Sequence, residues 1–154
     1  MTFIQTLRSL ALVTLWSAAC MASAQTVEVQ DAWARATVQG QKASGAFMKI
    51  TASTDIRLVG VITPVAAVAE VHEMRMDGGV MTMRALDGGL ALPAGKAVEL
   101  KPGGYHVMLM DLKVPFQKDT TIPLTLVFKD SAGKETRSAL KVPVSVTAPM
   151  PHNH

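Results

Sequence analysis

The chain is poor in cysteine and in aromatic side chains. Its 154 residues include one cysteine, Cys20, and aromatic residues make up 5% of the sequence. One cysteine cannot form an intramolecular disulfide, so packing alone must stabilise the fold. Catalytic signatures are also missing, because the sequence has no G-x-S-x-G, H-E-x-x-H or phosphate-binding loop. A hydrolase or nucleotide-binding enzyme is therefore not expected.

Charge is sparse and scattered. Charged residues make up 18% of the chain, and the formal net charge is +3. Lysine and arginine form no cluster, and few aromatic side chains are available for stacking on bases. Nucleic acid is therefore excluded as a partner.

Residues 1–24 have the pattern of a secretory signal peptide. Arg8 precedes the apolar run "LALVTLWSAAC", and "ASA" at 22–24 is a small-residue cleavage site, which places the mature N-terminus at Gln25. The run is too short to span a bilayer core of about 30 Å comfortably. The alternative is a lipid anchor on Cys20, but Ser17 stands where a lipoprotein cleavage box has a larger aliphatic residue. Cleavage after residue 24 removes Cys20 and lowers the net charge to +2.

The rest of the chain has the pattern of short β-strands separated by Gly, Pro, Asp and Asn. No segment keeps a helical period for three turns. This pattern predicts a single all-β domain over residues 25–147, an antiparallel sandwich or barrel, followed by a flexible tail over 148–154. The predicted strands lie near 26–31, 32–38, 45–51, 57–62, 67–75, 80–85, 97–101, 105–110, 121–129 and 137–146.

Methionine and histidine are concentrated in three of these strand regions. Residues 71–86, "VHEMRMDGGVMTMRAL", hold four methionines and a histidine around an Asp-Gly-Gly turn. Because side chains alternate along a strand, His72, Met74 and Met76 share one face, and so do Met81 and Met83. In "YHVMLM", the side chains that share a face are those of His106, Met108 and Met110. The sequence leaves open whether this third segment lies beside the hairpin.

The donor types in these segments favour a soft metal ion. Thioethers prefer Cu(I) to Zn(II) or harder ions, and they bind without losing a proton. A blue-copper site is disfavoured because it needs a cysteine thiolate. The opposing interpretation is that methionine fills the core, which we expect of Met48. The same interpretation stays open for Met74, Met76, Met81 and Met110.

The tail offers a second, weaker set of donors. Met150, His152 and His154 lie close together in "APMPHNH". Imidazoles there suit Cu(II) or Zn(II). The alternative is a solvated chain end that binds nothing specifically.

Four segments of the chain resemble the periplasmic copper chaperones of the PCuAC family. They are "DAWARAT" at 31–37, "RLVGVITPVAAVAEVHEMRMDGGVMTMR" at 57–84, "LPAGKAVELKPGGYHVMLMDLK" at 92–113 and "PLTLVF" at 123–128. The family motif is a histidine, ten residues, a methionine, about twenty-one residues, and His-x-Met. Here ten residues separate His72 from Met83, and twenty-two separate Met83 from the His106-Val107-Met108 segment. We place the extra residue in the loop "LDGGLALPAGK".

The resemblance implies a cupredoxin-like Greek-key β-sandwich in the periplasm that binds one Cu(I) through His72, Met83, His106 and Met108. It also implies delivery of copper toward the binuclear copper centre of cytochrome c oxidase, through its subunit II or another copper assembly factor. Some members carry a Met/His-rich extension that binds Cu(II), and "MPHNH" is similar to a short version.

Two other classes of function compete with a copper carrier. A non-metal β-sandwich module that binds an envelope component predicts that the Met and His cluster is buried and fully packed. A copper redox enzyme would need an open coordination position and a substrate pocket. We expect a carrier rather than an enzyme.

Overall fold

The structure, a computed structural model, describes residues 26–150. All the regular secondary structure within that range is β-strand. No helix in this part of the chain is long and apolar enough to cross a membrane. The ten strands are β1 Val27–Arg35, β2 Ala43–Ala52, β3 Ile56–Ile62, β4 Ala66–Asp77, β5 Val80–Ala85, β6 Leu90–Leu92, β7 Ala97–Leu100, β8 His106–Leu112, β9 Thr121–Asp130 and β10 Glu135–Ser145.

The strands form one hydrogen-bonded path, in the order β5-β4-β8-β2-β1-β10-β9-β3-β6, with β7 pairing to β2. Strand β3 also contacts β4, and β2 contacts β6, although these pairs are far apart along the path. The path therefore folds over on itself into two layers, as expected of a sandwich. One pair, β1 with β10, is parallel, so the sheet is mixed rather than wholly antiparallel.

The core lies between the two layers and consists of aliphatic and phenyl side chains. Leu126 on β9 and Val107 on β8 are fully buried, and Met48 on β2 is 2% exposed. Burying a side chain of this size is worth about 1.5–3 kcal/mol relative to leaving it exposed. The prediction that Met48 fills the core is confirmed.

The all-β, cupredoxin-like prediction is confirmed, with two differences in the strands. The segments 26–31 and 32–38 belong to one strand, β1, because a bulge between Gln30 and Trp33 interrupts its alternation. Asp31 sits in that bulge with φ 52°. Strand β6 was not predicted, since three residues within a loop-like sequence are too few to show a period.

Three predictions concern residues outside 26–150. They are the signal peptide over 1–24, the lipid anchor on Cys20, and the metal-binding role of His152 and His154 in the tail. They stay predictions, as does the division of the chain into residues 25–147 and 148–154.

Candidate metal centre

The β4–β5 hairpin brings the first two Met/His segments together. Its turn consists of Gly78 and Gly79, with φ of 57° and 83°. Two successive residues with positive φ are typical of a type I′ turn, whose twist matches that of the two strands it joins. Glycine adopts this conformation without steric cost. The turn pairs Asp77 with Val80 and sets Met74 directly opposite Met83.

Strand β8 lies on the other side of β4. The register sets His72 opposite His106 and Glu70 opposite Met108. The core-facing residues between them are Val71 and Val107, which are buried. The donors of β4, β5 and β8 therefore share the outer face of this layer, and β8 is the neighbour of the hairpin that the sequence alone did not identify.

His106 is held by its ring nitrogens at two points. Its Nδ1 lies 3.1 Å from the carbonyl oxygen of Gly104, and its Nε2 lies 3.1 Å from Sδ of Met83. A carbonyl oxygen only accepts hydrogen bonds, so Nδ1–H donates and, in a neutral ring, Nε2 carries a lone pair. The same Gly104 oxygen accepts the backbone N–H of Met74 at 3.2 Å. Two lone-pair donors, an imidazole nitrogen and a thioether sulfur, therefore face each other in a fixed geometry.

His72 presents a free nitrogen as well. Its Nε2 lies 2.8 Å from Oε2 of Glu70. Its Nδ1 is buried, and within residues 26–150 it has no hydrogen-bond partner. The two rings lie 5.8 Å apart between centroids, and both histidines are 7% exposed. A buried polar atom without a hydrogen-bond partner is unusual in a folded protein, and a role as a metal ligand would explain it.

A pocket of about 570 Å³ opens beside His106, and three thioethers line it, those of Met74, Met83 and Met108. Met83 is 45% exposed, so it is far more accessible than either histidine. Arg35 also lines this pocket. Its guanidinium lies 5.9 Å from the ring centre of Trp33 and 5.5 Å from that of Phe47. The centroids of these two rings lie 4.7 Å apart with their planes tilted by 34°, and the Phe47 centroid lies 6.5 Å from that of the His106 ring.

The donors that the sequence singled out lie in different surroundings. His72, Met83, His106 and Met108 lie on adjacent strands of one face, and the extra residue between Met83 and His106 does not keep those two apart. Met76 and Met81 are 62% and 47% exposed, so the idea that they pack in the core is wrong. Met150 is 88% exposed at the end of the described range.

The donor set is unlike that of a hard-ion site. Within residues 26–150 no three His, Cys, Asp or Glu side chains come together as a metal cluster, so the candidate centre depends on thioethers. Two supporting groups were not predicted from the sequence, the Glu70 carboxylate and the Gly104 carbonyl. The spacing Glu-x-His, which puts a carboxylate on the same strand face as the ring, was the available signal for the first.

Comparison with known proteins identifies the family. The family model described as "Putative lipoprotein LpqE-like" matches residues 27–144. This chain belongs to the LpqE-like family. The LpqE-like family is related to the PCuAC domains, and the resemblance inferred from the sequence is thereby confirmed.

Relatives of this LpqE-like chain include a curated protein and solved structures. "Putative lipoprotein Lxx21020" of Leifsonia xyli subsp. xyli is 36% identical over 130 residues, which cover 80% of this chain and 76% of the relative. The apo PCuAC domain from PmoF1 superposes with a TM-score of 0.62 at 24% identity, covering 79% of this chain and 94% of that one, and shows the shared fold.

A second structural neighbour is DR1885 from Deinococcus radiodurans. Its apo solution structure is 29% identical, has a TM-score of 0.57, and covers 95% of this LpqE-like chain and 98% of its own. Its CuI form matches with a TM-score of 0.53 at the same identity, over 79% of this chain and 76% of that one.

Proposed function

We propose that this LpqE-like protein is a copper carrier of the periplasm that binds one Cu(I) through His72, Met83, His106 and Met108. The observation that carries the proposal is the contact between Nε2 of His106 and Sδ of Met83 at 3.1 Å, with Nδ1 engaged by the Gly104 carbonyl. A neutral imidazole nitrogen and a thioether gain little from each other alone. Both gain from a soft monovalent cation held between them.

The chemistry of the donors supports Cu(I) over other ions. Thioethers do not need to lose a proton to bind, and they match Cu(I) better than Zn(II) or Mg²⁺. Histidine adds affinity without adding negative charge. The neighbours support the same ion, because one of them, DR1885, was solved in a CuI form.

Unequal burial of the donors supports a carrier rather than a permanent holder. Met83 is 45% exposed, whereas His72 and His106 are 7% exposed. A partner's ligand can therefore replace the Met83 sulfur first, while the histidines still hold the ion. We propose that the acceptor is cytochrome c oxidase subunit II or another copper assembly factor, as the PCuAC resemblance implies.

A Cu(I) titration tests the site. The mature chain, its Met83→Ala variant and its His106→Ala variant are titrated under reducing conditions against a competing Cu(I) chelator. We expect one ion per wild-type chain and a large loss of affinity in both variants. One-to-one binding of unchanged strength in both variants would refute the assignment of the site.

The same proposal includes the location of the protein outside the cytoplasm and the metal binding of its C-terminal tail. The lipoprotein names of the family and of the Leifsonia relative support a place outside the cytoplasm. Mass spectrometry of the mature protein distinguishes an N-terminus at Gln25 from a lipid on Cys20.

We also propose weak Cu(II) binding by Met150, His152 and His154. A chain ending at Pro149 should lose that binding and keep Cu(I) binding.

A further inference from the structure

The carboxylate of Glu70 is the one acidic group in hydrogen-bond contact with a candidate ligand within residues 26–150. Glu70 precedes His72 by two residues on β4, so both side chains lie on the same face of the strand. Its Oε2 lies 2.8 Å from Nε2 of His72. The Glu70 side chain is 45% exposed and that of His72 is 9% exposed, so the carboxylate meets the ring at the edge of the buried site.

This contact decides which nitrogen of His72 is free. An ionised carboxylate only accepts hydrogen bonds, so it holds the ring proton on Nε2 and leaves the lone pair on Nδ1. Nδ1 is the buried atom that has no partner in the described part of the chain. The atom that the carboxylate leaves unprotonated is thus the atom available to a metal ion.

Glu70 is poorly suited to be a ligand itself. Carboxylate oxygen is a hard donor and Cu(I) is a soft ion. Neither Glu70 nor His72 lines the pocket that Met83, His106 and Met108 share, so it is the hardness of its oxygens that makes Glu70 a poor ligand. Its contact with His72 is that of a group that orients a ligand from behind.

We propose that Glu70 is a positioning residue that fixes His72 in the Nε2–H tautomer, with Nδ1 as its Cu(I)-binding atom. The proposal rests on the copper-carrier function proposed above. His106 is fixed in the opposite sense, because its Nδ1 donates to Gly104 and its Nε2 faces Met83. The two histidines therefore bind through different nitrogens, one oriented by a side chain and the other by the backbone.

Three variants isolate this role. Glu70→Ala removes the acceptor, and Glu70→Gln keeps an oxygen that can accept the Nε2–H bond without the charge. Glu73→Ala is the matched control, because Glu73 lies on the opposite face of β4 and loses a comparable contact, 2.7 Å to Nε of Arg84.

Two measurements decide the proposal. Long-range ¹H–¹⁵N NMR of the apo protein reports the His72 tautomer without any copper. We expect Nε2–H in wild type, in Glu70→Gln and in Glu73→Ala, and a mixture of tautomers in Glu70→Ala. Competition titration should show Cu(I) binding about 10–100-fold weaker in Glu70→Ala, the usual cost of losing a group that orients a metal ligand. Glu70→Gln should recover most of this loss, and Glu73→Ala should bind as wild type does.

The outcomes separate this proposal from the proposed function. A wild-type His72 with its proton on Nδ1, or a Glu70→Ala variant that binds Cu(I) as tightly as Glu73→Ala, overturns the role of Glu70 and leaves the copper carrier intact. A wild-type chain that binds no Cu(I) overturns the copper carrier, while the apo NMR spectrum still shows whether Glu70 fixes the tautomer. Thermal melts of the apo variants check that each of them is folded.

Discussion

Replacing Met83 with leucine removes one sulfur atom and keeps the volume of the side chain. Met83 is 45% exposed and its Sδ contacts Nε2 of His106. Met81→Leu is the matched control, because Met81 lies two residues away on the same strand face and is 47% exposed. A volume-conserving exchange at a half-exposed position should cost the apo protein less than about 1.5 kcal/mol. Both apo variants should therefore melt close to the wild type.

Added copper should separate the two variants. When free Cu(I) is buffered at 100 times the wild-type Kd, binding stabilises the folded state by about 2.7 kcal/mol. The loss of a group that orients a ligand weakens metal binding by about 10–100-fold, and we take the upper value for the loss of a ligand itself. At the same free Cu(I), a 100-fold weaker Met83→Leu variant gains only about 0.4 kcal/mol.

Calorimetric melts with and without buffered Cu(I) measure this difference. For a domain of this size, about 1 kcal/mol moves Tm by roughly 3–5 °C. We expect copper to raise Tm by about 10 °C in wild type and in Met81→Leu, and by about 1–2 °C in Met83→Leu. An equal rise in all three proteins would refute the role of Met83. No rise in any of them would favour the non-metal β-sandwich module.

Three further predictions test the core, a glycine turn and the choice of metal. Leu126→Ala, at a fully buried position, should lower the free energy of unfolding by about 2–5 kcal/mol in urea melts, and a cost below 1 kcal/mol would contradict the packing described. Gly89→Ala should lower the stability of the fold more than Gly40→Ala does. Both glycines have positive φ, but only at Gly89 would the new Cβ lie 2.5 Å from a backbone atom, the Leu58 oxygen. Equal melting temperatures for these two variants would show that the chain relaxes around Gly89. Zn(II) at the Cu(I) concentration should not displace Cu(I) in a competition titration, and displacement would rule out a thioether-dominated site.

The local parts of this structure could be predicted from the sequence. The alternation of side chains along a strand depends only on neighbouring residues. It therefore predicted that His72 and Met74 share one face of their strand, and that His106 and Met108 share one face of theirs. The Asp-Gly-Gly turn indicated the hairpin for the same reason. Both features appear in the structure with the predicted parity.

The remaining parts depend on contacts between distant segments. No local pattern states that β8 lies beside β4, since that pairing follows from how all ten strands pack. The bulge at Asp31 shifts the alternation within β1, so one strand has the sequence pattern of two. The aromatic pair of Trp33 and Phe47 also escaped prediction, because its partners lie on different strands.

The parallel pairing of β1 with β10 affects the order in which the protein can fold. It joins Ala34 to Val144 and Arg35 to Ser145, residues near opposite ends of the described chain. Among the strand pairings of residues 26–150, this one joins the residues farthest apart in sequence, so it has the largest loop-closure entropy and favours slow folding. The candidate ligands, by contrast, lie on β4, β5 and β8, at one end of the strand path, whereas β1 and β10 lie in its middle. The β1–β10 pairing thus lies in a different part of the fold from the β4–β5 hairpin that carries the methionines. Slow formation of the pairing need not delay formation of the hairpin.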